Sequence, residues 1–234
     1  YQYLKQISSS AEVAVSVKAN SYGLGVIETC TILIKNGCKS FFVATSEEGI
    51  FLRKNFSNIN IYVLNGINDL ETYLKVLKHR ILVIFNNSKQ LDIARQLYNL
   101  KKKKIQCGIH VDSGMNRLGF DINNFQNSYK KIKKYLDVKI VISHLSCSEQ
   151  KDHYLNTKQL DRFELFRNKF YFSNSTLYSL ANSNGIFLGN KYHLDMVRSG
   201  GFIFGLALSK KTKPRSVVSL LAKIIHIQNV KPGC

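Results

Sequence analysis

The sequence has no tryptophan, only two prolines, and 15 acidic residues against 34 lysines and arginines. The first two shortages exclude no class of function and read as a compositional bias that also favours Lys, Asn and Ile. The third leaves a net charge of +19, which raises nucleic acid or an anionic membrane as partners because clustered cations attract polyanions. The densest runs, Lys101–Lys104 and Lys130–Lys134, have little interleaved aromatic surface for stacking on bases, so they read as solvated helix or loop faces and not as a nucleic-acid site. No uninterrupted apolar run reaches the roughly 20 residues needed to span a bilayer, which excludes a membrane-spanning helix and reads as a soluble protein. Cys30, Cys38, Cys107, Cys147 and Cys234 form no C-x-x-C pair. Their scatter disfavours zinc or dithiol chemistry and fits reduced thiols in a cytoplasm. No methionine or signal-like segment opens the chain at Tyr1. It stops at Cys234 just after an apolar alternating stretch that reads as a strand leading onward, so both ends read as cut.

What is present is a rhythm. Apolar runs rich in β-branched and aromatic residues recur at Val13–Val17, Phe41–Ala44, Ile59–Leu64, Ile81–Phe85, Ile105–Val111, Val138–Ile142, Leu177–Ala181 and Met196–Val197. Between them lie segments with apolar residues at helical spacing, such as Ile67–Leu77, Gln90–Leu100, Phe125–Leu136 and Gln159–Phe170. Several strands are apolar almost without a break, which predicts burial on both faces and a parallel sheet with helices outside. About eight such units in 234 residues predict a (β/α)8 barrel. The Lys-rich linker 210–215, and then Ser216–Val230 with no helical partner, break the rhythm. The expected division is therefore a barrel over 1–215 and the opening strand of a second, β-rich domain over 216–234.

Active residues in such barrels sit at the C-terminal ends of the strands. The first strand runs into Lys18, followed by Ala19-Asn20-Ser21-Tyr22-Gly23-Leu24-Gly25. A lysine there either snorkels to solvent or presents a desolvated amine for nucleophilic or basic work. The strand ending at Val111 leads into Asp112-Ser113-Gly114-Met115-Asn116-Arg117-Leu118-Gly119-Phe120, which presents Arg117 to an anion or phenolate, or to a surface carboxylate. Ser143-His144 ends the next strand; His144 could serve as an acid–base group, a metal ligand or a packing residue. No second ligand cluster accompanies it, which argues against zinc. The last two strands end in Ala181-Asn182-Ser183-Asn184-Gly185 and Asp195-Met196-Val197-Arg198-Ser199-Gly200-Gly201. Bare backbone N–H groups at glycines, with the Ser183 hydroxyl, can ring a phosphate dianion. Together with a strand-end lysine, this makes a phosphate-bearing aldehyde the economical cofactor.

Lys18–Gly25, His110–Phe120, Ser143-His144, Ala181–Ser183 and His193–Gly200 together resemble the alanine racemases, in the same order along nearly the whole chain. The resemblance implies pyridoxal 5'-phosphate as cofactor, held by Lys18 as a Schiff base, with Lys18 exchanging the α-proton of alanine on one face. It implies that Tyr22, Ser183, Gly200 and Gly201 hold the phosphate and that Arg117 meets the phenolic oxygen and the substrate. His144 would lie against the ring, with Leu64 and Asn182 among the cofactor contacts. Arg198 would face the pyridine nitrogen, where a guanidinium donates a hydrogen bond without releasing a proton and so favours simple proton exchange. It further implies a cytoplasmic homodimer supplying D-alanine for peptidoglycan, and no metal.

Three departures stand out. His110 occupies the position where many members carry a carbamylated lysine that steadies the arginine equivalent to Arg117. Ser199 replaces the usual proline before Gly200. The opposite-face base of the family, a tyrosine from the partner's C-terminal β-domain, is expected to fall outside this chain, leaving it one base of two and poorly active alone. The alternatives are a single-domain pyridoxal-phosphate homeostasis protein, which should lack the Asp195–Arg198 segment, and a basic nucleic-acid-binding module, which should show steeply salt-dependent binding.

Overall fold

Side-chain alternation along the strands sorts the core into two shells. In β1 (Glu12–Ser16), Val13 and Val15 face outward into a large cluster shared with helix residues such as Leu33 and Leu52. Ala14 faces inward among Phe42, Tyr62, Ile84, Ile140, Ile142 and Met196. Residues pointing two ways from a strand buried on both sides account for the near-continuous apolar runs. The computed structural model describes residues 1–206 and 213–233.

The remaining barrel strands are β2 (Ser40–Val43), β3 (Asn60–Val63), β4 (Leu82–Phe85), β5 (Ile105–Asp112), β6 (Leu136–Ile142), β7 (Leu177–Ser179) and β8 (Met196–Ser199). All pair in parallel, in the spatial order β7-β6-β5-β4-β3-β2-β1-β8, with the two-residue strand Phe120–Asp121 beside β5. The ring closes between β7 and β8 by isolated bonds: Asp195 N–H to the Tyr178 carbonyl at 3.1 Å and Arg198 N–H to the Ala181 carbonyl at 2.9 Å. This is the predicted parallel eight-stranded barrel. Its interior is filled, not hollow. Phe42 and Tyr62 stack at 4.6 Å, and Gly108 leaves room for two further core residues, since a Cβ there would overlap Ile84 Cδ1 and come 2.8 Å from Ile140 Cγ2.

The helices are α1 (Gln2–Ile7), α2 (Val26–Lys35), α3 (Ser46–Asn55), α4 (Leu70–Lys78), α5 (Ser88–Lys101), α6 (Phe125–Tyr135) and α7 (Tyr154–Lys169). None is long and apolar enough to cross a membrane. Their start signals are local: Thr45, Asp69 and Asn87 each accept a bond from a first-turn N–H, which satisfies orphan donors. Their last turns carry the cations, including Arg53 and Lys54, Lys75 and Lys78, Lys133 and Lys134, and Arg167 and Lys169. Cations at helix C-termini complement the macrodipole, and in a βα unit those termini lie at the barrel end opposite the strand C-termini. Much of the positive charge is therefore structural.

Around the lysine runs, Lys133 lies over Tyr129 and Lys134 over Tyr135, neighbours on the same helix, and the fold brings Tyr98, remote in sequence, to 5.3 Å from Tyr135. Ser216–Val230 joins no ladder and is exposed along its length. Alternation makes a segment competent for a sheet, and a ladder forms only with a partner, which no element among the described residues supplies here.

Candidate active site

β1 delivers Lys18 to the C-terminal mouth of the barrel, and the next four residues do something unusual. Ala19, Asn20, Ser21 and Tyr22 all take left-handed conformations, with φ of 51°, 53°, 56° and 57°, before Gly23 ends the turn at 91°. Side chains with a Cβ resist that region by roughly 1–2 kcal/mol each, so the turn holds several kcal/mol of strain at the point where a lysine leaves the sheet. Strain of this kind survives only where the surroundings over-determine it. The Ser21 N–H bonds the Val17 carbonyl at 2.9 Å, Asn20 Oδ1 accepts from Val26 N–H at 2.9 Å, and the Tyr22 ring packs 4.8 Å from Phe204.

The mouth encloses a cavity of about 620 Å³. Lys18, Tyr22, Leu64, Arg117, His144, Asn182, Ser183, Arg198, Gly200 and Gly201, the ten residues picked out in the sequence, all line it. So do Ser16, Phe42, Asn65 and His110, among others. Ser16 ends β1 and Phe42 is the last residue but one of β2, both on the inward side; the period-2 alternation was the signal that could have found them. Three cations and no carboxylate border this cavity among the described residues. Nor do three His, Cys, Asp or Glu side chains gather anywhere among the described residues to hold a metal.

Arg198 is buried at the barrel axis without a carboxylate partner. It donates to Ser179 Oγ at 2.5 Å, to the Ser143 carbonyl and to the Leu180 carbonyl at 3.5 Å. Burial, aided by the nearby Arg117 charge, pushes its pKa down to about 9, so it stays charged at neutral pH. Beside it stand two histidines. Burial first, then the charges of Arg198 and Arg117, push both His110 and His144 down to about 3. Both are neutral at pH 7, and their tautomers follow from their partners. Asn86 Nδ2 donates to the Leu64 and Ile84 carbonyls at 2.9 and 3.1 Å. Its oxygen therefore faces His110 Nδ1 at 2.9 Å, and His110 must donate there and keep its Nε2 lone pair. Asn182 Oδ1 accepts from Ser148 Oγ and Gly185 N–H, both at 2.9 Å, which leaves its Nδ2 facing His144 Nε2 at 3.4 Å.

Beside Lys18, where β8 pairs with β1, lies a cradle. Ser183 Oγ accepts from Gly200 N–H at 2.9 Å and Phe202 N–H at 3.3 Å. A Cβ on Gly200 would come within 2.6 Å of the Tyr22 hydroxyl, so a larger residue there would displace that oxygen. Hydroxyls and backbone N–H groups gathered around open space fit a phosphate, and an amine and two guanidiniums nearby fit its charge and that of a carboxylate.

The family described as "Alanine racemase, N-terminal domain" matches residues 1–208. The alanine racemase of Rickettsia bellii is 40% identical over 227 residues, 94% of this chain and 54% of that protein. That of Rickettsia rickettsii is 39% identical over 233 residues, 98% of this chain and 63% of that protein. The chain thus spans between half and two thirds of the length of these relatives. Among solved structures, the alanine racemase of Bartonella henselae with covalently bound pyridoxal phosphate superposes with a TM-score of 0.81 at 34% identity, covering 88% of this chain and 59% of that one. The biosynthetic alanine racemase of Pseudomonas aeruginosa gives 0.79 at 26% identity, covering 91% and 58%. With its barrel, its strand-end lysine and a match over residues 1–208, the chain belongs to the alanine racemase N-terminal domain family.

Proposed function

We propose that this chain is the cofactor-binding barrel of an alanine racemase and binds pyridoxal 5'-phosphate through Lys18. The observation that carries the reading is the cavity itself: one amine, two guanidiniums, a hydroxyl-and-glycine cradle and no acid among its described lining residues. When bound, pyridoxal phosphate supplies an aldehyde that a primary amine can attack and a ring that draws electrons from the α-carbon of an attached amino acid. The chain's own residues do the rest. Tyr22, Ser183 and the backbone at Gly200 and Gly201 would hold the phosphate. Arg198 would donate a hydrogen bond to the pyridine nitrogen without surrendering its proton. Arg117 would attract the phenolic oxygen and the substrate carboxylate, and His144, Leu64 and Asn182 would be further contacts of the ring. The Lys18 Nζ takes up and returns the α-proton on its own face.

Two-base exchange needs a second proton carrier on the other face within hydrogen-bond reach, and we place it on a partner subunit. The reading carries the setting implied by the family: a cytoplasmic homodimer that supplies D-alanine to peptidoglycan. Pyridoxal phosphate added to the purified chain should produce a near-visible absorbance that sodium borohydride traps on the Lys18 peptide, and Lys18→Ala should abolish both. No absorbance in the parent chain would reject the reading. If the 234-residue chain interconverts alanine enantiomers as fast as a longer relative, the partner-borne second base is wrong.

A further inference from the structure

The left-handed turn after Lys18 also takes a hydrogen bond from far along the chain. Glu48, in the first turn of α3, accepts from Ala19 N–H through Oε1 at 2.7 Å. Its other oxygen, Oε2, accepts from Ala44 N–H at 2.7 Å and Thr45 N–H at 3.2 Å. The second oxygen is enough for the capping box, in which Thr45 Oγ1 takes the Glu48 N–H and the glutamate side chain reaches back to the N-cap backbone. The first oxygen does nothing for the helix. It crosses from the β2–α3 junction to the end of β1 and holds the N–H of the residue immediately after Lys18, the first of the four left-handed residues.

We propose that Glu48 is a positioning residue for Lys18: by clamping the Ala19 N–H it keeps the left-handed turn that aims the lysine amine into the cavity. The proposal rests on the reading of Lys18 as the cofactor lysine. Ala19 has no side-chain hydrogen bond of its own to favour αL, unlike Asn or Asp, so the carboxylate supplies from outside what the residue lacks. Glu48 itself is not among the cavity's lining residues and acts only through the backbone.

The test separates the clamp from the cap. E48Q keeps a single acceptor oxygen, which two N–H groups at Ala44 and Thr45 compete for against one at Ala19, so the amide nitrogen turns donor-to-donor against Ala19. T45A weakens the cap and leaves the clamp. In the chain without cofactor, amide hydrogen exchange over Ala19–Gly23 should speed up about 10-fold or more in E48Q, the loss expected of one hydrogen bond to a charged acceptor, and stay at the parent rate in T45A. The rate at which added pyridoxal phosphate becomes borohydride-trapped on Lys18 should fall by about the same factor in E48Q alone. Should E48Q fail to fold, E48D retains both oxygens one methylene short of Ala19 and should show the same two changes. Parent-like exchange and trapping in the folded variant, with no adduct in Lys18→Ala, would overturn the clamp while the lysine reading stands. An undiminished adduct in Lys18→Ala would overturn the lysine reading and the proposal with it.

Discussion

His110 makes acid sensitivity a quantitative prediction. It is 6% exposed, its Nδ1–H is committed to Asn86 Oδ1, and its pKa is held near 3 against about 6.5 in an unfolded chain. The unfolded state therefore binds a proton that the folded state refuses, and stability falls as pH drops from about 6.5 toward 3 at up to about 1.4 kcal/mol per pH unit. Integrated from pH 7 to pH 5, the loss is about 2 kcal/mol, and about 3 kcal/mol by pH 4, a sizeable part of the 5–15 kcal/mol of an ordinary domain. Carboxylates also titrate over this range, so the comparison must cancel them. His110→Asn does so: an Asn amide can still donate to Asn86 but takes up no proton, and the volume it leaves empty costs the same at every pH. Urea denaturation of both chains at a series of pH values, without cofactor, gives the difference curve. His110→Asn should start less stable at pH 7 and gain on the parent chain by about 2 kcal/mol at pH 5. A difference that does not change with pH would refute the assignment of His110 as a neutral donor–acceptor.

Other expectations concern the cradle and the filled barrel. Tyr22→Phe removes one hydroxyl from the proposed phosphate site and should weaken pyridoxal phosphate binding roughly 10- to 100-fold in an absorbance titration, one hydrogen bond to a charged group. Gly200→Ala, whose Cβ would press within 2.6 Å of the same hydroxyl, should weaken binding in the same direction with little change in the denaturation midpoint. A normal affinity in both variants would remove Tyr22 from the site. Gly108→Ala should instead cost about 1–3 kcal/mol of stability by overpacking against Ile84 and Ile140, read from denaturation, since the cavity lies beyond it. An unaltered midpoint would mean that the interior has slack the packing does not show.

The barrel was legible because its strands are buried on both faces, and the resulting runs could be found without alignment; Ile105–Val111 predicts a strand observed at Ile105–Asp112. The last unit was harder. Between β7 and β8 the chain makes two 3-10 turns, Gly185–Leu188 and Asn190–Tyr192, in place of a helix, and closure of the ring rests on isolated bonds that no periodicity signals. At the mouth, strand-end position and residue type singled out Lys18, Arg117 and Ser183 as candidates with blander readings still open, and only the resemblance gave them roles and added Arg198. What was illegible depends on partners distant in sequence. His110 gains its tautomer from Asn86, 24 residues away, and the turn after Lys18 gains its support from Glu48, 29 residues away. A propensity reading places the left-handed residue at Gly23 and has no reason to extend it back over Ala19, Asn20, Ser21 and Tyr22.

Neutral histidines in a cavity without acids pose an electrostatic question that the charges themselves answer. Lys18, Arg117 and Arg198 line the cavity. On the proposed reading the two guanidiniums face a phosphate dianion and a substrate carboxylate. A carboxylate at position 110 or 144 would pair with the guanidiniums and compete with the ligands for them, while an imidazolium would add repulsion to a site already crowded with cations. A neutral imidazole adds hydrogen-bonding capacity and no net charge. Burial is the first cause of that neutrality, and the fields of Arg198 and Arg117, with which they would hold the ligands, push the same way. The arginines thus add to the protonation control of their neighbours as well as setting the sign of what can bind. Replacing Arg198 by an uncharged residue should accordingly raise the His144 pKa toward its ordinary range, measurable by the imidazole NMR shifts of the chain without cofactor. A His144 that still resists protonation in that variant would show that burial alone sets its charge.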